Sequence, residues 1–191
     1  MKNKHSEQWT TFESVILGTI FFVCTFVVVV GPFLIPRTVL SSWETAPKLY
    51  SSLAVVFPYL ARSLPLSKDP DFYIISKLIL FGVGTACILI CSLVPFSRVV
   101  VVRDYAVVDK ARKSILWFWL LFTITGYWIF FETYKPDNSL SLPSRTAVEF
   151  PVGIAIGNFV QFGVFVLAAS YFILVKHYFR VRSVWERKNA P

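Results

Sequence analysis

Four long apolar runs, separated by polar segments, dominate the pattern of this chain. They cover residues 14–35, 78–96, 115–131 and 152–175. A helix needs about 20 apolar residues to cross about 30 Å of hydrocarbon, since each residue rises about 1.5 Å. Each run is near that length, and none has a Lys, Arg, Asp or Glu in its interior. The pattern predicts an all-α fold, a polytopic membrane four-helix bundle formed by a single domain, residues 1–191.

The distribution of Lys and Arg predicts how this bundle is oriented. Basic residues collect in the N-terminal tail, between the second and third runs (98–113) and after the fourth run (176–188). The other two connecting segments hold fewer of them for their length. Cytoplasmic segments of membrane proteins carry the excess of positive charge. We therefore expect cytoplasmic N- and C-termini in a multi-pass protein of the cell inner membrane.

The segment 46–62, between the first two runs, predicts a separate interfacial element. It is apolar enough to prefer the membrane interface, but it is too short for a span and Pro58 interrupts it. Tyr50, Tyr59 and Arg62 are of the residue types that anchor a helix at the level of the lipid headgroups. We expect a helix that lies on the outer membrane surface and is tethered by these three side chains.

Composition and charge narrow the choice of partners. The chain is 55% hydrophobic and only 16% charged, with a mean hydropathy of +0.62. Soluble domains carry about 25% charged residues, so this chain has too little polar material to cover a water-facing surface. The net charge of +8 raises the question of nucleic acid, but the basic residues flank the apolar runs. We expect anionic lipid headgroups, and no nucleic acid, as the partner of these charges.

The chain offers few residues for catalysis. Membrane enzymes and proton carriers keep ionisable residues within their spans, and the four runs have none, with Lys77 interpreted as the end of the second span. The two histidines fall outside the runs, so haem ligation is not predicted. The three cysteines lie inside apolar runs and are interpreted as packing residues: Cys24, Cys87 and Cys91. We expect no enzyme activity, no catalytic residue, no metal site and no cofactor.

The polar and small residues of the fourth run form the sharpest candidate site. Gly153 and Gly157 make a ridge that allows close approach of another helix, and Gln161 continues the row one turn further. Asn158 lies beside this row, and uncharged amides in lipid seek hydrogen bonds between helices. One interpretation is internal packing against the first or second span. The other is a partner-binding stripe for a membrane helix of another protein. Gly82, Gly84 and Thr85 in the second run are interpreted as a packing groove.

The architecture, with its polar segments, resembles that of a known family. The nearest local likeness is the stretch from Phe130-Phe131-Glu132-Thr133-Tyr134 through Leu142-Pro143-Ser144-Arg145, followed by the last span and the basic tail 176–188. In these features the chain resembles the immunity proteins of the pore-forming colicin A type. That family consists of small four-helix inner-membrane proteins with cytoplasmic ends, a long first outer loop and a basic C-terminal tail.

The resemblance implies a function of protection against a pore-forming toxin. An immunity protein would meet the hydrophobic helical hairpin of the bacteriocin within the inner membrane and keep its channel closed. Such binding requires a lipid-facing stripe that fits one partner helix, and no catalytic residue. The alternative is a structural or assembly subunit of a larger membrane transport or secretion complex. In both cases the expected partner is a membrane-embedded protein.

Overall fold

The computed structural model describes residues 11–36, 42–93, 105–127 and 149–189, and the regular structure of these residues is helical without any strand. This confirms the predicted all-α class for the described part of the chain. The helices, numbered in chain order, are α1 (Thr11–Leu34), α2 (Thr45–Val56), α3 (Pro58–Ser63), α4 (Pro70–Leu93), α5 (Tyr105–Tyr127) and α6 (Pro151–Lys188), with a 3₁₀ turn at Leu64–Leu66 between α3 and α4.

Among the described residues, three helices are long and apolar enough to cross a membrane: α1 from Val15, α4, and α6. A multi-pass membrane protein is therefore confirmed. The predicted third span, residues 115–131, begins within α5 and runs beyond Tyr127 into residues outside the described part. The crossing by residues 115–131, the side of the membrane on which each end lies, and the stretch 130–145 that carries the family resemblance remain predictions.

The second membrane helix begins earlier than the sequence pattern predicted. We expected it to start at Leu78, but α4 starts at Pro70. Asp69 caps the helix, because its carboxylate accepts a hydrogen bond from the backbone N–H of Phe72 at 3.1 Å. Pro70 follows at the first helical position, where its missing N–H leaves no bond unmade. As a result, Lys77 lies inside the helix, two turns from its start, and its interpretation as the end of the membrane span stays a prediction.

The segment expected to lie on the membrane surface forms a helical hairpin docked on the bundle. Helices α2 and α3 meet at Phe57, with Pro58 at the first position of α3. The ring of Phe57 packs 4.8 Å from that of Phe81, about 16 Å along α4 from its start. Tyr50 and Tyr59 are buried, whereas Arg62 is exposed. The two tyrosines attach the hairpin to the bundle, so the expectation that they tether it to the membrane surface is wrong.

Helix α6 is the longest element, and α5 packs along it in the opposite direction. Val108 is buried against Val181, and a Cβ at Gly126 would lie 3.5 Å from Val164. The 38 residues of α6 extend about 57 Å, which is almost twice the thickness of a bilayer core. The basic segments around Lys110 and after Lys176, expected as separate loop and tail, thus form one two-helix extension.

Helix α4 is the centre of the bundle and contacts α1, α2 and α6. The closest approach is at Gly84, where an added Cβ would lie 2.5 Å from the ring of Phe165 on α6. At Gly82 the same addition would meet nothing within 4 Å. The predicted packing groove of α4 is therefore localised at Gly84. We call the end of the bundle with Pro70 and Pro151 the hairpin end, and the opposite end the extension end.

Candidate functional site

A buried lysine lies in the contact between α4 and α6, towards the hairpin end. The Lys77 side chain is only 3% exposed. Its Nζ donates hydrogen bonds to Oδ1 of Asn158 and to Oε1 of Gln161, both at 2.7 Å. Ionisable residues are rare within membrane spans, and those present face the interior of the bundle and mark functional or structural sites. Lys77 is thus an ionisable residue buried within a helix that is long and apolar enough to cross a membrane.

The amide of Asn158 connects this lysine to a second residue of α4. Its Nδ2 donates to the backbone carbonyl of Ser76 at 3.3 Å and also to the Ser76 hydroxyl. Asn158 and Ser76 are fully buried, so each polar atom of the amide is used within the protein. All hydrogen-bonding partners of the Lys77 ammonium in the described part of the chain are neutral. We call Lys77, Ser76, Asn158 and Gln161 the lysine cluster.

The aromatic side chains of the hairpin and of α4 close the lysine cluster. The Lys77 Nζ lies 5.2 Å from the ring centre of Tyr73 and 6.0 Å from that of Tyr59, within the range of cation–π attraction. The Tyr59 hydroxyl donates to Gln161 Oε1 at 3.4 Å, and the Tyr50 hydroxyl donates to the carbonyl of Leu60 at 2.7 Å. Burial raises the pKa of both phenols, so they remain protonated donors.

An apolar groove of about 400 Å³ lies beside the lysine cluster, between α4, α5 and α6. Phe57, at the tip of the hairpin, forms one of its ends. Thr123 supplies the main polar side chain of the lining, and the other walls are aliphatic and aromatic. The groove is lined by Phe57, Ile88, Phe122, Thr123, Gly126, Tyr127, Val164, Phe165 and Ala168.

The four predicted partner-binding residues differ in their surroundings. Asn158 is buried in the lysine cluster, and Gln161 is half-buried at its edge. Gly153 and Gly157 are also half-buried and lie on the same side of α6 as Gln161. The two amides thus make intramolecular bonds, in agreement with the interpretation of internal packing. Whether Gly153, Gly157 and Gln161 also bind a partner stays a prediction.

The groove continues the stripe that the sequence singled out. On α6, positions 157, 161, 164 and 168 are separated by four, three and four residues, which places them in one row along the helix. Val164 and Ala168 line the groove, and Gly157 and Gln161 lie towards the hairpin end of the same row. We call this row, together with the groove, the lateral face.

The three cysteines pack between α1 and α4. Cys87 and Cys91 are buried in the core, Cys24 packs against them, and all three thiols are free. The described residues include no group of three or more side chains arranged to hold a metal ion. The interpretation of these cysteines as packing residues agrees with their positions.

Sequence reasoning missed Lys77 because it followed apolar runs alone. The apolar run begins at Leu78, but the helix that contains it begins eight positions earlier, at Pro70. The pair Asp69-Pro70 is a helix-start signal that could have revealed it. With α4 counted from Pro70, Lys77 falls two turns into the helix, and an uncharged amide on a neighbouring span becomes its natural partner.

Comparison of the chain with protein-family models, curated proteins and solved structures finds no match. The class of the protein therefore follows from its own fold. It is a helical multi-pass membrane protein with a buried polar cluster and an apolar lateral groove.

Proposed function

We propose that this protein is non-catalytic and acts through helix–helix contacts with a membrane-embedded protein partner. The observation that carries the proposal is the groove of the lateral face. It is almost entirely apolar and lies between three helices, beside a row that contains Gly157 and Ala168. Small residues and shaped apolar surfaces are the features by which membrane helices associate, since lipid offers no hydrophobic driving force between them.

The function that fits best is immunity to a pore-forming bacteriocin. The partner is then a hydrophobic helix of the toxin, and occupation of the groove prevents that helix from joining a channel. The family resemblance of the sequence supports this assignment. The assignment in turn implies four spans, cytoplasmic ends and a location in the inner membrane, which are part of the proposal. The hydrogen bonds of Lys77 support a non-catalytic role, because they go to amides and not to a group that exchanges protons.

The second candidate is a structural or assembly subunit of a larger membrane transport or secretion complex. It is favoured by the two-helix extension, which offers a contact surface beyond the bilayer. Tyr105 and Trp185 pack against each other there, with ring centres 5.7 Å apart, and several basic side chains surround them. Those charges also suit anionic lipid headgroups.

A variant that fills the groove tests the proposal. Thr123 is exposed and lines the groove, so Thr123→Trp should block it without disturbing the core. Ile124, next in the chain, is exposed and does not line the groove, which makes Ile124→Trp the matched control. Cells expressing each variant are challenged with a panel of purified pore-forming bacteriocins.

The immunity assignment requires that the native protein and Ile124→Trp protect cells against one member of the panel and that Thr123→Trp does not. Photo-crosslinking from position 123 then identifies the partner. A crosslink to a resident membrane complex, without protection against any toxin, would favour the subunit assignment. Full protection by Thr123→Trp would show that the groove is not the binding surface.

A further inference from the structure

The lysine cluster contains a buried ionisable group for which the described part of the chain supplies no counter-charge. An ammonium removed from water needs either a counter-charge or several strong acceptors to offset its desolvation. Lys77 has two acceptors, both of them neutral amide oxygens. The four salt bridges formed between two described residues involve other basic side chains: Lys68, Arg112, Lys113 and Arg182. A carboxylate beside Lys77 would therefore stabilise the ammonium form of this buried side chain.

The position of the cluster relates this charge to the lateral face. Lys77 precedes Phe81 by one helical turn, and Gln161 precedes Phe165 by one turn. Phe81 and Phe165 contact each other, with ring centres 5.7 Å apart, and Phe165 lines the groove. The cluster therefore lies about 6 Å from the Phe57 end of the groove, towards the hairpin end.

Gln161 is the one member of the cluster that borders both the ammonium and the lateral face. Its side chain is half-buried, whereas Ser76, Lys77 and Asn158 are buried. The Lys77 ammonium has three N–H groups, and the described residues supply acceptors for two of them, so one donor remains for a further acceptor.

We propose that Lys77 recognises the partner through a carboxylate, an Asp or Glu placed on the partner's membrane helix one turn beyond the residues that fill the groove. The inference rests on the proposed function and specifies the chemistry of the partner. Pairing of the two charges offsets the desolvation cost of each, because an isolated carboxylate in lipid is as unfavourable as an isolated ammonium. Specificity then comes from charge, and affinity from the apolar groove.

Synthetic membrane helices serve as probes of this recognition. Each probe has about 22 residues with a Leu/Ala core, long enough to span the bilayer. One probe carries a single Glu in the half that faces the hairpin end, a second carries Gln at that position, and a third carries Lys. Binding to labelled protein is followed by energy transfer in vesicles of phosphatidylcholine at about pH 7, because the pair requires both an ionised carboxylate and a protonated lysine.

The native protein should bind the Glu probe at least about tenfold more tightly than the Gln probe, which corresponds to about 1.4 kcal/mol. Lys77→Met should abolish this preference, and Lys77→Glu should transfer it to the Lys probe. The amides of Asn158 and Gln161 can turn their N–H₂ groups towards a carboxylate, so the cluster accommodates that variant. Lys68→Met, which removes an exposed basic side chain near the same end, is the control and should keep the Glu preference.

The outcomes separate this inference from the proposed function. Equal binding of the Glu and Gln probes to the native protein would overturn the role of Lys77 and leave docking in the groove intact. A Glu preference that survives in Lys77→Met would assign the carboxylate to another residue and also overturn it. Absence of binding by every probe would count against both the groove and the lysine. Circular dichroism of each variant excludes loss of the helical fold as the cause, and Lys77→Glu gives a gain of binding that misfolding cannot produce.

Discussion

The two ends of the bundle use basic side chains in opposite ways. At the hairpin end, Lys77 is buried and bonded to two amides that come from another helix. At the extension end, Lys113 and Arg112 bond to Asp109 within one turn of the same helix, and their side chains are 67% and 59% exposed. The hydrogen bonds of Lys77 connect two helices, whereas the ion pairs of Asp109 lie on the surface of a single helix.

The difference shows that burial, more than the number of bonds, decides what a polar contact contributes. An exposed ion pair exchanges its bonds with water and is screened by salt, so it adds little stability. A buried ammonium has no water to replace a lost acceptor, so each partner matters. Variants at the two ends should therefore differ strongly in effect, although each removes a hydrogen bond.

The largest effect is expected for Asn158→Leu. The change removes one acceptor of Lys77 and the donor to Ser76, leaving a buried charge with less compensation. Removal of one partner of a buried charge destabilises proteins by about 3 kcal/mol or more. Unfolding of purified protein in mixed micelles, titrated with a denaturing detergent, measures the loss.

A second change sharpens this test. If the buried charge causes the loss, the double variant Lys77→Met/Asn158→Leu should recover much of it, because an apolar pair fills the same space without desolvation. Additive losses in the double variant would instead indicate that packing, and not charge, is what Asn158 provides.

Much of the fold could be predicted from the sequence, but the lysine cluster could not. The length and hydrophobicity of a long apolar run match the thickness of the bilayer core, so the sequence predicts α1, α4 and α6. The same reasoning located Asn158 and Gln161 and their need for hydrogen bonds within the membrane. It did not reveal that their partner is Lys77. An apolar run is defined by the absence of charged residues, so the second run necessarily begins after Lys77. A charge that a neighbouring helix satisfies can lie inside a span, and only tertiary structure shows it.

The hairpin illustrates a second limit. Tyr50 and Tyr59 suit either a membrane interface or a buried site with a hydrogen-bond partner, since each has an apolar ring and a polar tip. Which of the two environments the tyrosines occupy depends on whether α4 and α6 place hydrogen-bond acceptors and aromatic rings beside them. Tyr73 and Gln161 do so, and Gln161 lies 102 residues from Tyr59 in the sequence.

The next largest effect is expected at the tight contact between α4 and α6. Gly84→Ala would place a methyl group 2.5 Å from the Phe165 ring, so the ring must move and its edge contact with Phe81 is disturbed. Overpacking of this kind destabilises by about 1–3 kcal/mol. Gly82→Ala, half a turn away and in open space, is the matched control. It should be neutral or stabilise by up to about 1 kcal/mol, because alanine favours the helix. Equal effects of the two changes would contradict a close contact at Gly84.

A smaller effect is expected for the hydrogen bond within the hairpin. Tyr50→Phe removes the donor to the Leu60 carbonyl but keeps the ring that packs against Tyr73. The buried carbonyl loses a partner, which destabilises by about 1 kcal/mol. Limited proteolysis at the hairpin should also become faster, since this bond ties α2 to α3. Tyr105→Phe, on an exposed side chain of α5, should change neither measurement.

The smallest effect is expected at the extension end, for Asp109→Asn. This change removes the carboxylate that pairs with Lys113 at 2.7 Å and with Arg112 at 2.8 Å. The hydrogen bond from Lys113 lowers the pKa of Asp109, so any stability from the pair is present at neutral pH and is lost as the pH falls through that lowered pKa. Because all three groups are in contact with solvent, screening leaves little to lose. The unfolding midpoints of native and Asp109→Asn protein should coincide at neutral pH and stay together down to about pH 3, below the ordinary pKa of an aspartate. A loss at neutral pH as large as that of Asn158→Leu would refute the contrast between the two ends and would assign a structural role to the charges of α5.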